Sequence, residues 1–543
     1  MTKRTLRILS AVFSLITVFC TLSACSKTVK DAELRCPMAV EPLSVDPQTA
    51  NTAESITIAA NCYEGLMRID AEGKIVPAAT AAVATSDGLT YAFRLHNNVK
   101  WHINSNHEEI FGEGYETAID LRVTAHDFVF GFQRALDPAT KAPQAYRLFM
   151  IKNAEKVNKG ELPVSQLGVK ALDDYTLQIE LEYASSEFMQ MLTEPITAPC
   201  NRAFFEATKG RYGLNAEDVL CNGPFYLSRW YKESNIVLRR NTDNPQSQAA
   251  VYSVTYAFTN DPEIIIGNLL EKNYAVAPLT ASQVKTAQDE GCNVTEIQNT
   301  VWGMIFNCSD AVMSSTKLRL ALVASADFNE IRSAAKDMTV PAKGIIPPSC
   351  KIEGRSLYDI VPVLGSLEHN AATAKKYYDE YAQGNECSFS ILCTEEFETA
   401  VRRNIQSWQQ LFGITLSARV EVVSEDELVK RVSQGKYQCA LAPITTSAQT
   451  AVEFLYSFRN GSNVCRYSSE NFNTLLSQLL SAGSPESVAQ GCSAAQKYLL
   501  QNAVICPIFF RSRYIAANPS ITTVNILHSG DMLVMNETQL LKD

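Results

Sequence analysis

A strand, a helix and a second strand follow one another between residues 388 and 423, and this unit constrains the possible folds most. Residues 388–392 form a short apolar run that is typical of a buried strand. The next helix has an apolar face made of Phe397, Val401, Ile405, Trp408 and Leu411. Gly413 ends that helix, and residues 414–423 predict the second strand. Strands joined by a helix at this spacing pair in parallel, so the unit predicts a βαβ crossover within an α/β lobe.

Neighbouring segments extend this lobe and indicate where it would bind a ligand. The sequence predicts a helix over residues 370–382, a helix over 425–434 and a strand over 437–442. Lobes of this kind bind ligands at the C-terminal ends of their strands. We therefore expect a site near Thr394 and residues 443–447.

The first 25 residues have the pattern of a bacterial lipoprotein signal. Three basic residues precede an apolar run of 15 residues, Ile8 to Leu22, which is shorter than the roughly 20 residues that span a bilayer. The sequence Leu-Ser-Ala-Cys closes this run at Cys25. We expect residues 1–24 to be a signal peptide, Cys25 to be lipidated, and residues 25–34 to tether the body to the outer face of the cytoplasmic membrane. An uncleaved anchor or an ordinary signal peptide would still export the chain.

Length and charge narrow the class of protein. About 519 residues remain after the signal, which is too many for one core and predicts two or three lobes. Residues 91–95 and 175–181 alternate like half-buried strands, and residues 125–136 repeat at helical spacing, so the whole chain is mixed α/β. The net charge of −10 is spread without basic blocks, and we expect no nucleic-acid partner.

Cysteine is unusually frequent for an exported chain. Of the 15 cysteines, thirteen remain once Cys20 is cleaved and Cys25 is lipidated. None forms a Cys-x-x-Cys pair, so no zinc site is expected. Most are interpreted as buried free thiols. Cys200 and Cys221, both in loop-like sequence, are the candidate disulfide.

Short motifs occur in order along almost the whole chain. They include Val45-Asp46-Pro47, Tyr63-Glu64-Gly65-Leu66, Asp87-Gly88-Leu89-Thr90-Tyr91, Gln133-Arg134-Ala135-Leu136-Asp137-Pro138, Asn222-Gly223-Pro224-Phe225, Tyr467-Ser468-Ser469-Glu470-Asn471-Phe472-Asn473 and Ile505-Cys506-Pro507-Ile508. Each motif alone is weak evidence, but the ordered series is specific. It resembles family 5 of the extracytoplasmic solute-binding proteins, which includes the oligopeptide and dipeptide binders of ABC importers.

This resemblance implies a two-lobed α/β fold of the periplasmic-binding-protein type with a hinge. The implied parts are a discontinuous first lobe at residues 35–300 with an extra subdomain at about 66–220, a second lobe at 301–506, and a return to the first lobe at 507–543. The chain would cross between the lobes near residues 298–307 and 505–511. A solute would be enclosed by hinge closure, without any bond being made or broken.

The resemblance also implies the ligand and the residues that hold it. The ligand would be a peptide or peptide-like solute, bound extended and delivered to the permease and ATPase subunits of an ABC importer. We expect a monomer without cofactor or metal. The expected solute contacts are Asn51 and Glu54 (within residues 49–54), Tyr146, Trp302, Ile444, Thr445, Thr446 and Ser447.

One departure from the family pattern bears on the substrate. Many peptide-binding relatives carry Trp-x-x-Asp-Tyr, whose aspartate holds the peptide ammonium, whereas residues 444–448 here are Ile-Thr-Thr-Ser-Ala. Ser447 is the nearest equivalent of the aspartate. Peptides with a free amine should therefore bind about tenfold more weakly than with the aspartate, unless Glu453 or Glu54 supplies the missing charge.

The same sequence also bears on other functions. It contains no Gly-x-Ser-x-Gly, His-Glu-x-x-His, phosphate-loop or EF-hand motif and only six histidines, so we expect neither an enzyme nor catalytic residues. His102 and His107 with Glu108 and Glu109 could bind a metal, but their spacing favours a solvated surface insertion. A peptide-signal sensor, or a binder of a nickel chelate or an oligosaccharide, would share the fold and stays open.

Overall fold

The computed structural model describes residues 32–185, 187–245, 249–335, 339–361, 369–446, 448, 450–459, 463–527 and 532–541. The predicted signal peptide, Cys25, most of the tether and Ser447 lie outside the described residues. Within the described ranges, no helix is both long enough and apolar enough to cross a membrane.

Two four-stranded sheets form the framework of the first lobe. The order of the first sheet is Ala32–Met38, Val251–Phe258, Asn235–Arg240 and Phe225–Tyr231, with the first two strands parallel and the others antiparallel. The order of the second, wholly antiparallel sheet is Thr80–Thr85, Thr90–Leu95, Thr176–Glu180 and Val169–Asp173. The alternating pattern predicted for two of these strands is confirmed, because Phe93, Leu95, Leu177 and Ile179 are all buried.

Helices and two hairpins complete the first lobe. The hairpins pair Met67–Ile69 with Ile75–Pro77 and Ile521–Leu527 with Met532–Leu540. The helices of this part are Ala53–Cys62, Glu108–Phe111, Ala125–Leu136, Ala154–Asn158, Phe188–Met191, Arg202–Ala207, Pro262–Leu270 and Val284–Asp289. The hydrophobic core of the lobe combines residues 34–276 with residues 515–540, so the lobe is discontinuous in sequence.

The second lobe contains the predicted βαβ crossover. Cys387–Cys393 pairs in parallel with Leu416–Val422, and the intervening helix, Glu398–Phe412, buries Val401, Ile405 and Trp408. The remaining helices are Thr316–Ser325, Phe328–Ala334, Leu357–Ile360, Ala371–Ala382, Glu425–Ser433, Ala451–Tyr456, Glu470–Leu480 and Pro485–Gln501. The remaining short strands are Thr339–Pro341, Lys351–Ile352 and Arg355–Ser356. The core of this lobe is formed by residues 301–510.

Two long antiparallel strands, Asn293–Phe306 and Ile505–Ala517, join the lobes. Their sheet has the order Val276–Leu279, Ile505–Ala517, Asn293–Phe306, Cys439–Thr445, Cys387–Cys393 and Leu416–Val422, with Thr339–Pro341 also pairing to Ile505–Ala517. The pairing register shifts between Ile297 and Thr300. We call Asn293–Phe306 and Ile505–Ala517 the hinge strands, because each of the two contributes residues to the cores of both lobes.

Several of the sequence motifs meet in space and stabilise the first lobe. The Asn222 amide donates to the Glu64 carbonyl at 3.0 Å and accepts from the Glu64 N–H at 3.1 Å. A Cβ at Gly223 would lie 2.6 Å from the carbonyl carbon of Cys62, so this close approach requires glycine. The buried Arg134 guanidinium likewise pairs with Asp46 at 2.7 Å. These motifs therefore belong to the structural scaffold of the first lobe.

The thirteen described cysteines are all free thiols, twelve of them buried and Cys308 half-buried. The interpretation of most cysteines as buried thiols is confirmed, whereas the candidate pair Cys200 and Cys221 is wrong. The Cys200 Sγ accepts a hydrogen bond from Arg134 Nη1 at 3.5 Å, while the Cys221 thiol neighbours Cys62. Burial raises the pKa of Cys200 to about 12, which leaves this thiol unreactive at neutral pH.

Candidate functional site

A cavity of about 1040 Å³ lies between the two lobes, beside the register shift of the hinge strands. We call it the cleft. The first lobe contributes Ile69, Glu72, Gly73, Lys74, Ile75, Met189, Gln190, Ile526 and Leu527, and the strand that crosses contributes Thr295, Glu296, Ile297 and Gln298. The second lobe contributes Pro348, Ser349, Lys351, Glu353, Gly354 and Thr450. A cavity bounded by both lobes and their hinge is what closure around a solute requires.

A smaller cavity of about 60 Å³ adjoins the cleft at Gln190 and Thr450, which line both. We call it the side cavity. Its other lining residues are Tyr146, Arg147, Met150, Tyr183, Glu187 and Met191 from the first lobe and Val452, Glu453, Tyr456 and Leu480 from the second. The rings of Tyr146 and Tyr456 stack across the lobe boundary, with centroids 5.9 Å apart and planes inclined by 8°.

An ion cluster connects the lobes at the side cavity. The Arg147 guanidinium binds Glu194 of its own lobe at 3.2 Å and Glu453 of the second lobe at 3.0 Å. Burial lowers the pKa of Arg147, but the two carboxylates outweigh burial and its pKa rises, so this group stays charged. The pair holds the first lobe against the helix Ala451–Tyr456, whose N-terminus is capped by the Thr450 hydroxyl.

Glu187 is the second carboxyl group of the side-cavity lining. Burial raises its pKa to about 7; a hydrogen bond with Thr450 lowers this value and the nearby Glu453 raises it. The Tyr146 pKa is also raised, first by burial and then by Glu453. The side cavity therefore combines aromatic and apolar walls with a carboxyl group, Glu187, whose charged form is disfavoured by burial.

The structure brings Tyr146 to the lobe boundary, but it separates the other described residues that the sequence predicts as contacts. Trp302 is fully buried in the second lobe, where its ring packs against Phe397 and Phe509 at 5.1 and 5.9 Å. The Arg511 guanidinium lies 4.5 Å from the Trp302 ring centroid. Trp302 therefore offers no surface to a solute in this conformation.

The other predicted contacts lie at the edge of the hinge or near a helix start. Thr445 Oγ1 is 3.0 Å from Thr300 Oγ1, and the Thr446 N–H donates to the Asn299 carbonyl at 3.2 Å, so both lie beside the crossing strand. Ile444 is buried, Asn51 is exposed, and Glu54 is half-buried in the first turn of Ala53–Cys62. None of these residues lines the cleft or the side cavity. Ser447 lies outside the described residues.

Sequence reasoning did not find Arg147, Tyr183, Glu187 or Tyr456. Glu453 is predicted from the sequence only as an alternative acid, because Thr450 and Glu453 also have the spacing of a helix cap. The Glu453 N–H does donate to Thr450 Oγ1 at 3.1 Å. The capping pattern explains Glu453 by itself, so the sequence does not indicate that this residue also reaches the lobe boundary.

The expectation of a solvated insertion after His102 is wrong for its histidines. His107 is buried, accepts from the Asn104 N–H at 3.1 Å and lies 3.0 Å from the Val219 carbonyl through Nε2. His102 Nδ1 lies 2.7 Å from Asp243, and its ring stacks on Tyr226. Both histidine side chains therefore have structural roles, in packing and in capping. Among the described residues, no group of three or more His, Cys, Asp and Glu side chains is placed to hold a metal ion.

Comparison with known proteins agrees with this architecture. The family model described as bacterial extracellular solute-binding proteins, family 5 Middle, matches residues 74–464. The oligopeptide-binding protein OppA of Bacillus subtilis is 24% identical over 518 residues, which cover 91% of this chain and 90% of the relative. The probable deoxycholate-binding periplasmic protein YgiS of Escherichia coli is 23% identical over 486 residues, covering 87% and 86%.

Solved structures of similar proteins share the two-lobed fold. The crystal structure of Haemophilus influenzae OppA in complex with RPPGFSPFR superposes with a TM-score of 0.74 at 21% identity, covering 95% of this chain and 100% of the other. The murein tripeptide binding protein MppA of Escherichia coli gives a TM-score of 0.75 at 20% identity, with 95% and 100% covered. Given the match of the family model to most of its length, this chain belongs to family 5 of the bacterial extracellular solute-binding proteins, which are solute binders rather than enzymes.

Proposed function

We propose that this protein captures oligopeptide-like solutes between its lobes and delivers them to the membrane subunits of an ABC importer. The observation that carries the proposal is the cleft of about 1040 Å³, which both lobes and the crossing strand line together. Its volume exceeds the range of 300–1,000 Å³ that is usual for drug-sized ligands, so it has room for a short peptide. We expect an extended peptide in the cleft to pair with protein backbone as an added strand does.

A lipid anchor at Cys25 completes the proposed arrangement. The family works outside the cytoplasm, and a carrier held at the outer face of the membrane stays close to its importer. Two acyl chains at ~0.8 kcal/mol for each buried CH₂ give stable anchoring. We expect Cys25→Ser to leave the protein unprocessed or released from the membrane, measured by membrane fractionation and radiolabelled palmitate. Normal processing and membrane retention of the variant would disprove the lipid assignment.

The solute is tested with protein that lacks residues 1–24 and carries Cys25→Ser. Mass spectrometry of the molecules that co-purify should identify peptides, and adding them back should raise the melting temperature. A solute at one hundred times its Kd stabilises the folded protein by about 2.7 kcal/mol. Co-purification of a steroid acid or a sugar in place of peptides would contradict the proposal that the solute is a peptide. Hydrolysis of any added peptide would contradict a carrier role.

A further inference from the structure

The side cavity has the build of a pocket for one long side chain of a solute. It shares the lining residues Gln190 and Thr450 with the cleft, and Met150, Met191, Val452 and Leu480 supply apolar wall. About 10–15 Å³ of such volume holds one water-sized group, so the cavity of about 60 Å³ accommodates about four. An ammonium group and its last three methylene groups have this size.

The side cavity favours a positive charge. Glu187 and Glu453 face it, and the guanidinium of Arg147 in the same lining is also bound to Glu194. Glu187 faces Glu453, Arg147 and Glu353, two carboxylates and one cation. Tyr146, Tyr183 and Tyr456 add aromatic rings, whose faces attract cations.

We propose that the side cavity receives the side chain of a lysine-like residue of the solute, with the methylene groups against the apolar wall and the ammonium between Glu187 and Glu453. This inference rests on the proposed binding of peptides in the cleft. It assigns a specificity-determining role to Glu187, which was not among the residues predicted from sequence. An N-terminal ammonium carries the same chemistry, and the experiment below distinguishes the two sources.

The test uses blocked pentapeptides, acetylated and amidated, with lysine or norleucine placed in turn at each position of an alanine background. Norleucine has the same carbon chain as lysine without the ammonium. At pH 8, isothermal titration calorimetry should show at least tenfold tighter binding for lysine than for norleucine at one position. Glu187→Gln should reduce this ratio below about threefold by weakening binding of the lysine peptide, whereas Glu161→Gln, at an exposed site outside both cavities, should preserve the ratio. Circular dichroism confirms that each variant is folded.

Three outcomes decide against the inference. Equal affinities for lysine and norleucine at every position would overturn the side pocket and leave peptide binding intact. A norleucine peptide with a free N-terminus that gains affinity through Glu187, without any gain from lysine, would assign the site to the N-terminal ammonium instead. Absence of binding by every peptide would overturn the proposed function, and the side pocket with it.

Discussion

Burial of the Glu187 carboxyl raises its pKa from 4.5 to about 7, so this residue destabilises the fold at alkaline pH. Between these two values the folded state holds a proton that the unfolded state has released, and stability therefore falls as pH rises through this window. We expect Glu187→Gln to raise the free energy of unfolding by about 1–3 kcal/mol at pH 8 and to change it little at pH 4.5. Urea unfolding at both pH values measures this, with Glu161→Gln as the control. Equal effects at the two pH values would show that Glu187 does not titrate as described.

Substitution of Trp302 distinguishes a structural role of this residue from a contact with the solute. Its Nε1 has no hydrogen-bond partner in the structure and its ring is enclosed, so Trp302→Phe removes packing without breaking a bond. We expect the variant to lose about 1–3 kcal/mol of stability in chemical unfolding and to retain its solute affinity. If Trp302 contacts the solute, as the family resemblance implies, calorimetry will instead show weaker binding with little loss of stability.

At the scale of elements, the close pairing of the hinge strands depends on Gly303. A Cβ at this position would lie 2.5 Å from the Cys506 carbonyl oxygen of the partner strand, and neither backbone can yield without disturbing the pairing. We expect Gly303→Ala to cost about 1–3 kcal/mol. Gly267, inside the helix Pro262–Leu270, is the matched control: a Cβ there meets nothing within 4 Å, and Gly267→Ala should stabilise by about 0.5–1 kcal/mol. Thermal unfolding of both variants tests whether the two substitutions differ in sign.

The elements themselves were largely predictable, because hydrophobic periodicity and caps are local. The helix predicted at 125–136 is found as Ala125–Leu136, and the one at 370–382 as Ala371–Ala382, with Asn370 accepting from the Thr373 N–H at 2.8 Å. The insertion after His102 was misjudged because the partners of His107 include Val219, far away in sequence. A single sequence carries no signal for such a contact.

At the scale of the whole molecule, the same limit explains why the side cavity was missed. Arg147 and Glu453 are separated by 306 residues and come together only when both lobes are folded and in contact. Arg147 lies in no recognisable motif, Glu453 lies in a helix cap, and ion pairs of this kind do not follow a fixed spacing. The family resemblance predicted the two lobes and the hinge, whereas the contacts that hold one lobe against the other join residues far apart in sequence and required the structure.

We expect contacts between the lobes to set how far the protein closes without solute. Tyr456 stacks on Tyr146 across the boundary, and Arg459 approaches Glu155 of the first lobe at 3.9 Å. An aromatic pair contributes about 0.5–1.5 kcal/mol, so Tyr456→Ala should shift the equilibrium toward the open form by about two- to tenfold. Small-angle scattering of the solute-free variant should show a larger radius of gyration, and saturating solute should restore the closed value. Tyr231→Ala, on the exposed surface of the first lobe alone, should leave the scattering unchanged. An unchanged radius for Tyr456→Ala would mean that the hinge strands, rather than contacts across the side cavity, set the closed state.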